Sequence, residues 1–307
     1  MTDRTVELIV GATNAGARLD TLLANHPEIA SRASAQRLID SGRVAVGGRA
    51  RPKGYRVGAG EQIVAGIDGA QPDPASDPVV APHRVVYEDD HLIIVDKPAG
   101  VVVHPGAGHD RGTLAQALAG RAAGGDDPQR AGIVQRLDRD TSGLMTVAKS
   151  AAAHGALKKL IRERRIEREY LALVEGRPDA RSGTIDAPIG RDATRRTLIS
   201  TRTARPRAAL THFDQVELFA RASLLGVRLE TGRTHQIRVH LAAIGHPVCG
   251  DARYGGGACG ERLGLGRQFL HSHRLAFLHP FSGKSLVCTS PPPADLLRAL
   301  EAARRER

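Results

Sequence analysis

Gln71-Pro72-Asp73-Pro74-Ala75-Ser76-Asp77-Pro78-Val79-Val80-Ala81-Pro82 sets four prolines and two acids in twelve residues. Proline locks φ and carries no N–H, so this stretch can neither continue a helix nor pair inside a sheet. It reads as an extended, semi-rigid linker. The chain is therefore expected to divide into a small unit over 1–70, a linker over 71–82 and a large unit over 83–307.

In the small unit Leu19, Leu22 and Leu23 recur at helical spacing, predicting a helix from Arg18 to Ala24. A second helix is signalled by Ser31 as N-cap, Leu38 and Ile39 as buried positions and Gly42 as the stop. Val44-Ala45-Val46 before Gly47-Gly48 reads as a strand entering a tight turn. Arg18, Arg32, Arg37, Arg43, Arg49, Arg51, Lys53 and Arg56 outnumber Asp20, Glu28, Asp40 and Glu61. A basic helix face is ordinarily just solvated. With the turn and the charge excess beside it, RNA contact through Arg18, Arg32, Arg37, Arg43 and Lys53 is the reading taken. The order R-L-D-x-x-L, S-R-x-x-x-x-x-L-I-x-x-G, G-x-V-x-V-G-G resembles an S4 RNA-binding domain.

The large unit opens with Val85-Val86-Tyr87-Glu88 and Leu92-Ile93-Ile94-Val95 around Asp89-Asp90-His91, a hairpin pattern, followed by a Pro-Gly turn at Pro98-Ala99-Gly100. Thr113 to Leu118 opens a helix, and the Gly- and Asp-rich stretch from Arg121 to Arg130 reads as a mobile loop. Gly132 to Lys149 carries apolar pairs on both sides of a charged centre, which predicts a loop bearing Asp138 that enters a strand near Leu144. Ser150 caps a helix with Ala153, Leu157, Leu160 and Ile161 on one face; Glu169 to Val174 is a strand with Tyr170 near its start. Between Gly190 and Arg207 six arginines, Arg191, Arg195, Arg196, Arg202, Arg205 and Arg207, face a single acid, Asp192. Such a run grips phosphates without reading sequence. Ile237, Leu241 and Ile244 form a helical stripe with Thr234 as N-cap and Arg233 at the helix mouth, where a carboxylate partner is welcome.

An Arg-x-Asp beside Thr-Ser-Gly is by itself usually a turn with a local ion pair. Here, however, Gln135-Arg136-Leu137-Asp138-Arg139-Asp140-Thr141-Ser142-Gly143-Leu144 resembles the H-R-L-D-x-x-T-S-G-L signature of the RluA-type pseudouridine synthases, with Gln135 at the family's His. Lys97-Pro98-Ala99-Gly100, Gly232 to His240 and Leu270 to Pro280 resemble the family's K-P-x-G, G-R-T-H-Q-I-R-V-H and closing motifs, so the resemblance runs from about Ala17 to about Pro293. It implies an α/β (α+β) fold: a mixed, largely antiparallel sheet catalytic domain preceded by a small S4 domain. It also implies isomerisation of uridine to pseudouridine. That reaction breaks the N1 glycosidic bond and joins C5 to the same sugar carbon, with no net oxidation, so no cofactor and no metal are expected. Asp138 would be the catalytic carboxylate, attacking the sugar carbon or removing the proton at C2′, with Arg233 its partner and Arg238 as rival, and Tyr170 the pocket tyrosine that stacks on the base and helps take the C5 proton. The target must flip out of its helix, and Arg136 would fill the space it leaves.

The formal net charge of +11 agrees with a polyanionic partner. The pairing with S4 is most similar to the D-type large-subunit ribosomal RNA enzymes, so the expected partner is large-subunit ribosomal RNA or an assembling subunit, with transfer RNA as alternative. Rival readings are a non-catalytic RNA-binding assembly factor on the same fold and a nucleosidase that stops after bond cleavage. No apolar run approaches the roughly 20 residues of a membrane span, and Met1 to Glu7 lacks a signal-peptide pattern; a cytoplasmic monomer is expected. Cys249, Cys259 and Cys288 form no C-x-x-C and leave an odd count, which argues against disulfides. A zinc site from Cys249, Cys259, His271 and His273 lacks ligand-pair spacing, and Gly283-Lys284-Ser285 lacks the upstream glycine of a phosphate loop, so no nucleotide cofactor is expected.

Overall fold

The computed structural model describes residues 4–29, 32–67, 81–106, 109, 111–127 and 130–306. By internal contacts the chain forms two compact units, Met1–Pro78 and Val79–Arg307. The linker reading falls largely, and Ser31 as N-cap wholly, outside the described residues; so do the side chains of Arg32 and Arg37.

In the first unit, β1 (Arg4–Ile9), α1 (Leu19–Ala24), α2 (Arg32–Asp40), β2 (Val44–Val46), β3 (Arg49–Ala50) and β4 (Gln62–Ile67) build a four-stranded sheet ordered β1-β4-β2-β3. Its two helices pack on each other through Leu19, Leu23, Ala35 and Ile39, which share a core with Val44, Val46 and Ile63. Asp20, fully buried, holds this frame together: it accepts from Arg18 at 3.0 Å and from Gln36 at 2.8 Å.

The second unit runs β5 (Arg84–Glu88), β6 (Leu92–Lys97), α3 (Leu114–Ala117), β7 (Ser142–Ala148), α4 (Ala151–Arg162), β8 (Glu167–Glu175), β9 (Ser182–Asp186), β10 (Gly190–Arg191), β11 (Ile199–Ser200), β12 (Leu210–Leu218), β13 (Ala222–Leu229), α5 (Gln236–Ala243), α6 (Gly257–Arg262), β14 (Leu270–Leu278), β15 (Ser285–Thr289) and α7 (Ala294–Arg305). Nine of these strands form one sheet in the order β5-β6-β7-β14-β8-β13-β12-β9, with β15 also on β14. β14 runs parallel to β7; the other strand pairs among the described residues are antiparallel. The unbroken apolar run of β6 has its explanation in the two faces of the sheet. Leu92 and Ile94 point to the core that α4 covers with Ala153, Leu157 and Leu160, whereas Ile93 and Val95 join the core that α3, α5 and α7 cover. Each such side chain contributes about 1.5–3 kcal/mol of burial. Ser150 caps α4 as its sequence predicts, its hydroxyl accepting from Ala153 N at 3.1 Å.

The parallel contact between β7 and β14 depends on Gly143. Its φ is +110°, and a Cβ there would lie 2.2 Å from the Ser272 carbonyl oxygen. This close approach sets the strand directly after the Asp138 loop against the strand that carries His271 and Ser272.

One expectation is corrected here. Cys249 and Cys259 form a disulfide, because the turn through Gly250 and Gly256 brings their Cα atoms to 5.0 Å, a proximity that spacing does not reveal; Cys288 is free and buried. The stretch after Arg121 is hydrogen-bonded near its two ends: Ala123 N donates to Ala148 O, at the end of β7, at 3.0 Å, and Gly132 N to Gly124 O at 2.8 Å. No described helix is long and apolar enough to cross a membrane.

Candidate active site

Asp138 lies on the loop between Gly132 and β7. The loop's shape is held through its carbonyls rather than its side chains. Thr141 N donates to Asp138 O at 3.1 Å, Gly100 N to Arg139 O at 2.9 Å, and Arg267 Nη1 to Asp140 O at 2.9 Å. Lys97, fully buried at the end of β6, donates to the carbonyls of Pro98 (2.9 Å), Val101 (2.9 Å) and Arg139 (3.0 Å). Three acceptors match the three N–H bonds of an ammonium. Burial nevertheless pushes the Lys97 amine down to about 7, against the pull of Asp140 and Asp138. The K-P-x-G motif is thus more than a turn at a strand end; its lysine clamps that turn to the Asp138 loop.

The guanidinium facing Asp138 belongs to Arg238: Nη1 donates to Oδ2 at 2.8 Å. The expectation that Arg233 fills this role does not hold. Helix α5 starts at Gln236, one residue later than a Thr234 cap implies, so Arg238 is in its first turn facing the loop and Arg233 stays outside, exposed, its Nε donating to the Ala208 carbonyl at 3.2 Å. Both arginines line the cleft that holds Asp138. Asp251, 1 % exposed, grips the other edge of the Arg238 guanidinium at 2.6 and 2.9 Å. Burial opposes the charge on Arg238, yet the hydrogen bonds to Asp251 and the charge of Asp138 outweigh it and raise its pKa.

His235 occupies the helix N-cap with φ 56°, a left-handed conformation uncommon outside glycine and worth a functional explanation. Ile199 N donates to the Tyr254 hydroxyl at 3.3 Å, and that hydroxyl lies 2.8 Å from His235 Nδ1. With Tyr254 O–H donated to Nδ1, the N–H of His235 falls on Nε2, 3.8 Å from Asp138 Oδ1. Burial pushes the His235 imidazole below its usual range, so the ring is neutral at pH 7. His240, by contrast, is bound at both nitrogens, to Thr211 Oγ1 and the Ala187 carbonyl, each at 2.9 Å.

Tyr170, on β8, forms part of the same cleft as Asp138 and is 7 % exposed; burial raises its hydroxyl pKa. Arg136 is exposed at the rim and bonded to the Thr234 hydroxyl. The candidate RNA contacts fall into two groups. Arg18 and Lys53 are engaged within the first unit, with Asp20 and Asp40, and Arg43 is exposed beside β2. Arg191, Arg195 and Arg196 are exposed on a loop whose ends pair as β10 and β11. That loop is organised by its single acid: Asp192 Oδ1 accepts from Thr194 N, Thr194 Oγ1 and Arg195 N at 2.7–3.0 Å, which holds its carboxyl well below the usual range.

Asp251, Tyr254 and Arg267 escaped the sequence reading, and Lys97 entered it only as part of a Pro-Gly turn motif. Asp251 and Tyr254 stand in Gly250-Asp251-Ala252-Arg253-Tyr254-Gly255, and that Gly-flanked Asp and Tyr is the signal that was available. Among the described residues no group of His, Cys, Asp or Glu is arranged to hold a metal ion. Of the residues weighed as zinc ligands, the cysteines are joined to each other, and His271 is committed to Ser142 Oγ and Ser290 O, both at 3.0 Å.

Residues 91–243 match the family model described as RNA pseudouridylate synthase, and residues 17–63 match that of the S4 domain. The chain is 42% identical to the ribosomal large subunit pseudouridine synthase D of Nitrosomonas europaea, over 98% of this chain and 89% of that protein. It is equally 42% identical to the enzyme of that name from Xanthomonas campestris, over 98% and 93%. The solved structure of human RNA pseudouridylate synthase domain containing 1 superposes with a TM-score of 0.56 at 29% identity, covering 72% of this chain and 86% of that one. The chain is thus an RNA-modifying isomerase. It belongs to the RNA pseudouridine synthase family, with an S4 domain at its N-terminal side.

Proposed function

We propose that this synthase acts on large-subunit ribosomal RNA and that Asp138 is the carboxylate that works on the ribose of the flipped uridine. The observation that carries the site is the placement of Asp138, paired with Arg238 at 2.8 Å, in one cleft with the buried ring of Tyr170. A base lying on Tyr170 brings its sugar toward the carboxylate. Burial raises the pKa of the tyrosine hydroxyl and so favours its protonated form, and the ring serves as a platform for the base. Arg238 supplies the positive charge beside the reacting carboxylate in a partly closed site, where such pairing is strong. Arg136 leaves Thr234 to occupy the vacated stack, and Arg233 reaches RNA from the cleft rim.

Two features support the substrate. Relatives that match this chain over nearly their whole length are named for the large ribosomal subunit, and the Arg191–Arg207 loop offers phosphate contacts independent of sequence. The S4 residues Arg32, Arg37 and Arg43 add to them. The test is a carbodiimide and primer-extension map of ribosomal RNA from cells lacking the gene, complemented with wild type or Asp138→Asn. The expected result is a discrete signal restored by wild type and not by the variant, with RNA binding retained. A restored signal with Asp138→Asn overturns the assignment of Asp138, and a ribosomal map indifferent to the gene overturns the substrate.

A further inference from the structure

Beside the Asp138 cleft lies a second one, of about 310 Å³, within the range of ligand pockets. Arg136 forms part of the wall of both. The second cleft is lined by hydrogen-bonding edges: the Gln135 amide, the His104 imidazole, the Arg130 guanidinium and the Asp126 carboxylate. Among the described residues His104 Nδ1 is buried with no hydrogen-bond partner. An orphaned buried nitrogen is costly unless something else completes it. The wall is also shaped for space. At Gly124, with φ +98°, a Cβ would come within 2.6 Å of the His154 side chain and 2.7 Å of the Ser150 carbonyl, and at Gly125 within 3.2 Å of the His154 ring, so a side chain at either position would displace His154, which lines the cleft.

We propose that this cleft is a subsite for a nucleotide adjacent to the target uridine, and that it takes a guanine base. The inference rests on the target uridine lying at Asp138 and Tyr170. Arg136 is common to both clefts, so the second lies within reach of the nucleotide next to the target. Guanine matches the second cleft edge for edge. Its N1–H and N2–H donate to the Asp126 carboxylate, while its O6 and N7 accept from the Gln135 amide and from the terminal nitrogens of Arg130, whose Nε pairs with Asp127 at 3.1 Å. His104 completes the set. Burial, with the charges of Arg130 and Arg136, pushes its imidazole below the usual range, so it stays neutral and can meet a base through a lone pair as well as an N–H. Uracil offers two carbonyls and a single N–H, and leaves the carboxylate short of donors.

The test uses synthetic RNA fragments of the mapped segment that keep the target uridine and carry guanine, adenine, uracil or an abasic residue at each flanking position in turn, with kcat/KM read by tritium release. At one flank, wild type should favour guanine over uracil and the abasic residue by about five-fold or more. Gln135→Ala and His104→Ala should each erase that preference while leaving kcat/KM on the abasic RNA unchanged. Gln135 is half-buried on a loop and gives a second, independent variant, so the result does not hinge on the His104 variant folding. Equal rates for all bases at both flanks, or a guanine preference that survives both substitutions, overturns the subsite while leaving the activity intact. A wild-type enzyme that forms no pseudouridine in any of these RNAs removes the position of the uridine and the subsite together.

Discussion

Asp251 holds the Arg238 guanidinium by two hydrogen bonds, 2.6 and 2.9 Å long, and so turns its remaining nitrogen onto Asp138. The arginine that faces the reacting carboxylate is itself aimed by a second, fully buried carboxylate. Asp251→Asn keeps the shape and one acceptor but loses the charge and the two-point grip. Turnover should drop about ten- to a hundred-fold, as for other groups that orient a catalytic partner. RNA affinity should be unchanged. Single-turnover kinetics with parallel binding isotherms checks this; a change in affinity alone would assign Asp251 to binding.

Exchanging the two candidate partners separates their roles. Arg238→Lys should lose most turnover, because one ammonium cannot bridge Asp251 and Asp138 as a planar guanidinium does. Arg233→Lys should keep turnover and alter KM modestly, since Arg233 is exposed and meets only a carbonyl. The kcat against KM split of the two variants is the readout.

Lys97 makes stability depend on pH in a stated direction. Its folded-state pKa of about 7 lies below the roughly 10.4 of an unfolded lysine, so between these values the unfolded chain binds more protons and stability rises with pH. Relative to Lys97→Met, wild type should therefore gain stability from pH 7 upward, by at most about 4–5 kcal/mol near pH 10, and the difference should level off below pH 7. Urea unfolding of both proteins across this range measures it. A difference independent of pH would mean that the three carbonyls keep the ammonium charged throughout.

The arginine loop should respond to its one acid. Asp192→Ala removes the acceptor for Thr194 and Arg195, and the loop loses its turn. RNA affinity should fall while turnover at saturating RNA holds. The carboxyl is held below its usual pKa, so this contribution is present above about pH 4 and lost as pH falls and Asp192 takes a proton. Arg196→Ala should lower the slope of log affinity against log salt by about 0.7–0.9, the share of one phosphate contact.

Gly143→Ala is expected to cost about 3 kcal/mol or more, from a left-handed φ and a Cβ aimed at the Ser272 carbonyl. Thermal unfolding measures the loss. In whatever fraction folds, turnover should fall as well, because the Asp138 loop leads directly into this strand.

The elements whose signals are local were legible from the chain. Ser150 and Thr113 cap helices through oxygens that satisfy backbone donors within three residues, and the stripe Ala153, Leu157, Leu160 needs only helical spacing to declare its buried face. Ile244 shows the limit: it continues the stripe of Ile237 and Leu241 in sequence, yet it is the residue that ends α5 and stands 39% exposed. A periodicity cannot tell where the core stops covering a helix.

The sequence by itself determined the two-unit organisation, the basic character that selects RNA, and the loop that presents Asp138, because proline content, net charge and a motif of ten residues are carried along the chain without reference to its distant parts. Only the tertiary structure decided which arginine faces that aspartate, that Asp251 aims it, that Lys97 clamps the loop, and that Cys249 meets Cys259. Each of these depends on where a helix begins or a turn closes to within one or two residues. Arg233 precedes α5 and Arg238 lies in its first turn, and since one residue rotates an α-helix by about 100°, the point at which the helix begins decides which side chain faces the loop.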